Sequence, residues 1–206
     1  MDKNQQKKNT IKIILLGNQN VGKTSLISIY SGKKFSEDTI STIGSDFIYE
    51  KLNIDNTEYT IQLWDTAGQE QFRSLNKIYF KGSDIVLFIY DITKKKTFDD
   101  LPGFWINYVK SLIGENIIYG IVANKVDLFE NKEVEEESGQ KLANENHASF
   151  CQTSAKETPE VFKKFIKDLV VLHISKNGAK EGNAIKLEDQ KSKKDKDGEK
   201  GCCLNF

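Results

Sequence analysis

The sequence predicts an α/β fold: a six-stranded, mostly parallel sheet with one antiparallel edge strand and helices on both faces. Three observations lead to this prediction. Short apolar runs alternate with segments of helix length, three of the runs are almost entirely apolar, and two others flank a short polar turn. Strands that alternate with helices are typical of a parallel sheet, and strands buried on both faces have near-continuous apolar sequences.

Each element follows from the spacing of its apolar residues. The three apolar runs, expected at the centre of the sheet, are Ile11–Leu16, Ile85–Tyr90 and Ile117–Ala123. The edge hairpin is predicted as Phe47–Ile54 and Tyr59–Trp64 around Asp55-Asn56, because both runs mix polar and apolar residues. A short sixth strand is expected at Ala148–Gln152. Four helices are predicted, at Lys23–Tyr30, Phe98–Leu112, Glu135–Asn146 and Pro159–Ile174.

Length and composition limit the class of protein. The 206 residues suffice for one domain and a tail, and 30 basic residues balance 30 acidic ones, so no overall charge attracts nucleic acid. Three cysteines exclude a disulfide framework and fit a reducing compartment. Because the apolar periodicity ends near residue 175, we expect a flexible N-terminus at 1–10, one folded domain at 11–175 and a disordered tail at 176–206.

Neither a secretory signal nor a membrane-spanning helix is expected. The first ten residues are polar and rich in lysine, without the apolar stretch that a signal peptide needs. The longest purely apolar run, Ile85–Tyr90, is far shorter than the roughly 20 residues of a spanning helix.

A glycine-rich loop lies between the first predicted strand and the first predicted helix. Residues 17–24 read Gly-Asn-Gln-Asn-Val-Gly-Lys-Thr, which fits the pattern G-x-x-x-x-G-K-[ST]. The glycines let backbone N–H groups face a phosphate, and the helix adds its positive dipole end. Lys23 would reach the β and γ phosphates and Thr24 would hold Mg²⁺. The alternative is a plain glycine turn.

A second motif, Asn124-Lys125-Val126-Asp127, indicates which base is bound. It follows the apolar run Ile117–Ala123, at the carboxyl end of a strand, where open α/β sheets bind ligands. The Asp127 carboxylate can accept hydrogen bonds from N1–H and the 2-amino group of guanine, neither of which adenine offers. Taken alone, the four residues are equally consistent with a capping turn.

Two further segments, Trp64-Asp-Thr-Ala-Gly-Gln-Glu70 and Thr153-Ser-Ala-Lys156, complete a resemblance. Together with the two motifs above, they resemble the Ras-like small GTPases, and specifically the Rab family, over residues 11–174 and again at the last five residues. The resemblance implies the P-loop small GTPase fold, with 11–175 as the GTP-binding domain. It also implies binding of GTP, GDP and Mg²⁺, and hydrolysis of GTP to GDP and phosphate.

The resemblance implies roles for residues around the phosphates. Asp65 resembles the carboxylate that holds Mg²⁺ through water, and Thr42 the switch threonine that coordinates Mg²⁺ when the γ phosphate is present. The Gly68 amide would contact the γ phosphate. Gln69 is the candidate catalytic residue, which orients the attacking water.

Other residues are implied around the base. Phe35 is similar to the aromatic side chain over the guanine edge, and Ser154, Ala155 and Lys156 to the residues beside O6 of the base. The full set expected to bind nucleotide is Asn20, Val21, Gly22, Lys23, Thr24, Ser25, Phe35, Thr42, Asp65, Gly68, Asn124, Lys125, Asp127, Ser154, Ala155 and Lys156, with Thr24, Thr42 and Asp65 as the metal ligands.

Three segments favour the Rab branch: 43–47, 64–70 and 79–82. In that family the aromatic residues corresponding to Phe47, Trp64 and Tyr79 form a cluster that effectors read, and Ile43 precedes it. Such a patch would anchor a partner helix. The alternative is that these aromatic side chains only cover the edge of the sheet.

The last four residues, Cys203-Leu-Asn-Phe206, fit the C-a-a-X prenylation pattern, and the terminal Phe indicates geranylgeranyl. Cys202 precedes them, which is similar to the double-cysteine ends of Rab proteins. We expect both cysteines to be modified, because two lipid chains give stable anchoring and one does not. A redox pair is the alternative.

Two residues bear on the rate of hydrolysis. Gln19 is a bulky side chain in the phosphate loop and would crowd Gln69 or the attacking water. Arg73, the one arginine of the chain, fits a surface position better than a catalytic one. We therefore expect slow turnover that needs an arginine from a GAP. A nucleotide-locked binding module that hydrolyses negligibly stays open as an alternative, and an ATP-using P-loop kinase is a more distant one.

The family implies a set of partners and a location. We expect a guanine nucleotide exchange factor, a GTPase-activating protein, a GDP-dissociation inhibitor or escort protein, and effectors at the switch regions. The geranylgeranyl groups would bind a membrane, and no nucleic acid partner is expected. The expected protein is a monomer that regulates vesicle trafficking at the cytoplasmic side of an intracellular membrane, with a soluble cytosolic pool.

Overall fold

The structure, a computed structural model, describes residues 9–36, 45–66, 80–113 and 117–177. The chain divides into two compact units, Met1–Val170 and Val171–Phe206. The first unit contains a six-stranded sheet in the order β2-β3-β1-β4-β5-β6. Its strands are β1 (Thr10–Leu16), β2 (Ser45–Ile54), β3 (Thr57–Thr66), β4 (Ile85–Asp91), β5 (Ile118–Asn124) and β6 (Ser149–Gln152).

All pairs in the sheet are parallel except β2 with β3, which forms the antiparallel hairpin at one edge. The predicted fold class is therefore confirmed, including the position of the hairpin. Asp55 and Asn56 both have positive φ angles, 47° and 62°. This is the two-residue turn whose twist matches that of the flanking strands. Phe47 lies directly opposite Trp64 in the resulting register.

The helices are α1 (Lys23–Tyr30), α2 (Lys95–Asp100), α3 (Asn107–Leu112), α4 (Glu136–Glu145) and α5 (159–177). A π-helix, Leu101–Ile106, joins α2 to α3, and a short 3₁₀ helix, Val126–Asn131, follows β5. The sequence predicted a single regular helix over Phe98–Leu112. The observed segment begins earlier, at Lys95, and changes to π geometry at its middle.

Pro102 gives the physical reason for this change. A proline inside an α-helix lacks the N–H of the helical hydrogen bond, and its ring clashes with the carbonyl four residues earlier. A wider turn that closes five residues apart relieves that crowding locally without ending the helix. Pro102 lies at the start of the π-helix and is exposed.

Helices cover both faces of the sheet. On one face, Val86, Phe88 and Tyr90 of β4 pack in a buried cluster with Trp105 and with residues of α3 and α4. On the other face, Gly120 of β5 leaves room for Leu87 and the ring of Phe165 from α5, since a Cβ there would lie 2.7 Å and 3.1 Å from them. The carboxyl ends of β1, β3, β4 and β5 are thereby fixed as a rigid platform.

Candidate nucleotide-binding site

The loop between β1 and α1 packs closely against the neighbouring strands. Gly17 has a φ of 146°, and a Cβ on it would lie 2.2 Å from the carbonyl oxygen of Ile89. Gly22 has a φ of 94°, and its Cβ would lie 2.3 Å from Nδ2 of Asn124. Any other residue would be strained and would clash at both positions. The two glycines of the motif are therefore required by the packing of the loop.

Lys23, the first residue of α1, is 5% exposed and reaches back over the loop. Its ammonium donates hydrogen bonds to the carbonyl oxygens of Gly17, at 2.8 Å, and Asn18, at 2.9 Å. Burial lowers the pKa of Lys23 to about 8, and the nearby charge of Asp65 opposes that shift. A desolvated ammonium at the N-terminus of a helix is suited to pair with an anion.

Thr24 and Asp65 meet beside this loop. The Thr24 hydroxyl donates a hydrogen bond of 2.7 Å to Oδ2 of Asp65, and Asp65 is 5% exposed near the end of β3. The parallel pairing of β1 with β3 brings this carboxylate to the phosphate loop. A hydroxyl oxygen and a carboxylate oxygen are the hard ligands that Mg²⁺ prefers, so the two residues fit a magnesium ion.

Asn124, at the end of β5, connects three of the motifs. Its Nδ2 donates to the carbonyl oxygen of Val21 at 2.8 Å, and its Oδ1 accepts from the backbone N–H of Ala155 at 3.3 Å. Asn124 is 1% exposed. The phosphate loop, the Asn124-Lys125-Val126-Asp127 segment and the Ser154-Ala155-Lys156 segment are therefore held at one edge of the sheet.

The remaining base-side residues surround this point. Lys125 has a left-handed φ of 67°, and the half-buried Asp127 lies in the 3₁₀ helix that follows. The Ser154 hydroxyl accepts hydrogen bonds from the N–H groups of Lys156, at 3.1 Å, and Glu157, at 3.0 Å, which closes a tight turn. A turn of this kind fixes backbone groups in position.

Comparison with known proteins gives the family. The sequence model of the Ras family matches residues 12–173. Human Rab-8B is 34% identical over 190 residues, which cover 89% of this chain and 91% of Rab-8B. RABA2d of Arabidopsis thaliana is 34% identical over 207 residues, with 93% of each chain covered. RabJ of Dictyostelium discoideum is 38% identical over 156 residues, 76% of this chain and 60% of RabJ.

The chain belongs to the Ras family, in its Rab branch. It is accordingly a Rab-like small GTPase that binds guanine nucleotide, hydrolyses GTP and acts in vesicle trafficking. Among the helices that the structure describes, none is both long enough and apolar enough to cross a membrane.

Several predicted residues of this Rab protein lie outside the described residues. They are Thr42, Ile43, Gly68, Gln69, Arg73, Tyr79, Cys202 and Cys203. Of the residues predicted for the effector surface, Phe47 and Trp64 are described, and their rings stack with centroids 4.9 Å apart. Phe47 is 43% exposed. Asn20 has a left-handed φ of 62°, Ser25 is half-buried in α1 and Phe35 is 36% exposed.

Two residues that contact the motifs of this Rab protein were missed in the sequence. The Asn18 side chain binds α2 and the π-helix, and Asp91 forms an ion pair with Lys125. Asp91 carried a signal that could have revealed it, since it directly follows the apolar run Ile85–Tyr90, just as Asn124 follows Ile117–Ala123. The Asn18 contacts join residues more than 80 positions apart. No local pattern indicates them.

Proposed function

We propose that this GTPase holds GTP or GDP between the phosphate loop and the base-side segments, and that it works as a switch. The observation that supports this most strongly is the pair of hydrogen bonds through which Asn124 joins the loop at Val21 to the turn at Ala155. Each motif alone has an alternative interpretation. A plain glycine turn and a capping turn would give no reason for the motifs to meet at the carboxyl ends of the strands.

The phosphates would bind at the start of α1. The N–H groups of Asn20, Val21, Gly22 and Lys23 and the helix dipole favour an anion there. The Lys23 ammonium would exchange its bonds to Gly17 and Asn18 for bonds to phosphate oxygens, because a full charge is the stronger acceptor. Ser25, also in the first turn of α1, would contact the α phosphate.

A magnesium ion would be held by Thr24 and Asp65, with Thr42 as the further ligand. Bound there, Mg²⁺ neutralises charge on the phosphates. This chain supplies the oxygen ligands and the burial that keeps bulk water away from Asp65. Removal of the ion with EDTA is expected to accelerate GDP release. In a Thr24→Val variant, which keeps the shape but lacks the hydroxyl, GDP release is expected to be fast already and to respond much less to EDTA.

The guanine would be read by Asp127, with Asn124 and Lys125 positioning it. Ser154, Ala155 and Lys156 would lie beside O6, and Phe35 would pack on the edge of the base. Adenine would leave the Asp127 carboxylate without hydrogen-bond donors, so the site discriminates strongly against adenine.

Hydrolysis would depend on Gln69 to orient the attacking water, with the Gly68 amide on the γ phosphate. Gln19 is exposed at the loop, and its bulk would crowd Gln69 or the attacking water. We expect slow intrinsic turnover and acceleration by a GAP that supplies an arginine in trans. An exchange factor and a GDP-dissociation inhibitor or escort protein would complete the cycle.

Effectors would bind the surface around Phe47 and Trp64, together with Ile43 and Tyr79. The Phe47 ring is exposed and stacked, so a partner gains apolar contact at low entropic cost. The GTP-binding domain would span 11–175. The tail, 176–206, would carry geranylgeranyl groups on Cys202 and Cys203 that anchor the protein to the cytoplasmic side of an intracellular membrane, with a soluble cytosolic pool.

Competition binding tests the base assignment. Fluorescently labelled GDP bound to the protein should be displaced by GTP and not by ATP. The Asp127→Asn variant should lose guanine affinity by at least about tenfold and gain affinity for xanthine nucleotide, which keeps the other contacts. Equal displacement by ATP and GTP would refute the assignment. Mass spectrometry of the membrane-bound protein tests the lipid anchor, and an unmodified C-terminus would refute that part.

A further inference from the structure

The side chain of Asn18, in the phosphate loop, binds the helical segment formed by α2 and the π-helix. Asn18 is 6% exposed. The indole N–H of Trp105 donates to its Oδ1 at 2.8 Å, and its Nδ2 donates to Oδ2 of Asp100 at 2.6 Å. Trp105 is itself 2% exposed in the core under the sheet. The loop is therefore bonded to a rigid part of the fold.

The partners fix the orientation of the Asn18 amide. An indole N–H can only donate, so it must face the oxygen, and an ionised carboxylate can only accept, so it must face the nitrogen. A flipped amide would lose both bonds at once. Asn18, Asp100 and Trp105 can therefore satisfy one another's hydrogen bonds in this arrangement only.

The π-helix explains why two residues five positions apart reach the same amide. On an α-helix, residues three or four apart share a face, whereas a π-helix closes its hydrogen bonds five residues apart. Asp100 directly precedes the π-helix Leu101–Ile106 and Trp105 lies within it. The wide turn imposed at Pro102 therefore aligns Asp100 with Trp105 on the side that faces the loop.

The same asparagine is also in contact with the phosphate-binding lysine. The carbonyl oxygen of Asn18 accepts a hydrogen bond of 2.9 Å from the ammonium of Lys23. The side chain of Asn18 is held by the helix while its backbone holds Lys23. Asn18 therefore links the helical segment both to the loop and to Lys23.

We propose that Asn18 is a positioning residue for nucleotide binding, and that Asp100, Trp105 and the π-helix hold the phosphate loop through it. This inference rests on the proposed function, because it explains how the loop that would bind the phosphates is held rigid. A loop fixed before binding loses less conformational entropy when the nucleotide binds. Loosening it should raise the rate of GDP dissociation.

A reciprocal exchange of two side chains tests the proposal. In Asn18→Asp, two carboxylates would face each other at hydrogen-bond distance, and one must take up a proton or move away. We expect dissociation of fluorescently labelled GDP to become about tenfold faster. In the double variant Asn18→Asp/Asp100→Asn, the carboxylate at position 18 would face the indole of Trp105, and the amide at position 100 would face that carboxylate. The dissociation rate should return to within about twofold of the wild type.

Two single variants keep the test decisive if Asn18→Asp folds poorly. Trp105→Phe removes the N–H and keeps a ring, and should accelerate GDP release about fivefold. Asp100→Asn keeps an acceptor for Asn18 and should change the rate by less than about twofold. Lys110→Met is the matched control, because it removes a hydrogen bond of α3 to Asn146 that lies away from the loop. It should leave the rate unchanged.

The outcomes separate this inference from the function on which it rests. If the wild-type protein binds no GDP, the proposed function fails. If it binds GDP and the exchange variant does not recover, the positioning role of Asn18 is wrong. Variants that lower the melting temperature without changing GDP release would show that the Asn18 contacts only stabilise the fold, which also overturns the proposal.

Discussion

The ammonium of Lys125 lies 2.6 Å from Oδ2 of Asp91, a carboxylate whose side chain is 1% exposed at the end of β4. The other oxygen, Oδ1, accepts from the N–H and the hydroxyl of Thr93, at 2.9 Å and 2.7 Å. In addition, the carbonyl of Asn124 accepts a hydrogen bond from Ile92 at 3.2 Å. The end of β4 therefore determines where Lys125 sits.

Neutralising Asp91 should release Lys125 and destabilise the protein. In Asp91→Asn the amide oxygen must still accept the two hydrogen bonds from Thr93, so the amide nitrogen would face the ammonium of Lys125. We expect a loss of about 2 kcal/mol in the free energy of unfolding, because a charged hydrogen bond in a buried site is lost. Urea denaturation measures this. The double variant Asp91→Asn/Lys125→Met should recover part of the loss, and no recovery would show that Lys125 is not the partner that matters.

Gly103, in the π-helix, can gain a side chain at no steric cost. A Cβ there meets nothing within 4 Å, and the backbone is not left-handed. Gly103→Ala should raise the free energy of unfolding by roughly 0.5–1 kcal/mol, since alanine loses less backbone entropy in a helix.

Gly82 provides the contrast to Gly103. A Cβ on Gly82 also meets open space, but its φ is 72°. Gly82→Ala should therefore destabilise the protein by about 1 kcal/mol. If Gly82→Ala stabilised the protein as Gly103→Ala does, available space and not backbone conformation would decide the outcome.

Cys151 should react with thiol reagents only when the protein unfolds. Burial raises the pKa of its thiol to about 12, so at pH 8 about one molecule in ten thousand carries the reactive thiolate. A freely exposed thiol would carry roughly a quarter. The chain has three cysteines, so Cys202→Ser/Cys203→Ser leaves Cys151 alone. Its labelling should be slow in the native state and fast in urea. Fast native labelling would contradict the burial.

Lys12 and Trp64 should be energetically coupled. The ammonium of Lys12 lies 4.1 Å from the centroid of the Trp64 ring and donates to the carbonyl of Lys81 at 3.3 Å. Burial lowers the pKa of Lys12 while Asp84 opposes that shift, which agrees with a partly desolvated cation. A double-mutant cycle of Lys12→Met and Trp64→Phe should give a coupling of about 1 kcal/mol. Additive effects would show that the ring and the ammonium do not interact.

Local patterns predicted the sheet well, because burial on both faces makes the central strands apolar throughout and leaves the edge hairpin mixed. The glycine loop, Lys23, Thr24, Asp65 and Asn124 were singled out from the sequence, and the structure brings them to one edge of the sheet. Their roles in binding stay predictions.

The π-helix was missed for a physical reason. The apolar spacing over Phe98–Leu112 is compatible with a helix, and the effect of Pro102 on the pitch depends on whether the neighbouring core keeps the helix intact. Trp105 is a core residue, and nothing near it in the sequence indicated its bond to Asn18. Contacts of this kind depend on the packing of a complete domain.

The turn at Asp55 and Asn56 has a consequence at the opposite end of the hairpin. The side chains of a strand alternate between its two faces, so one residue added to or removed from that turn would reverse the face of every residue in β2. Phe47 lies seven residues from Ile54, about 23 Å along the strand. The left-handed turn at Asp55 and Asn56 thus decides, from the other end of the strand, whether the Phe47 ring stacks on Trp64 or points to the other side of the sheet.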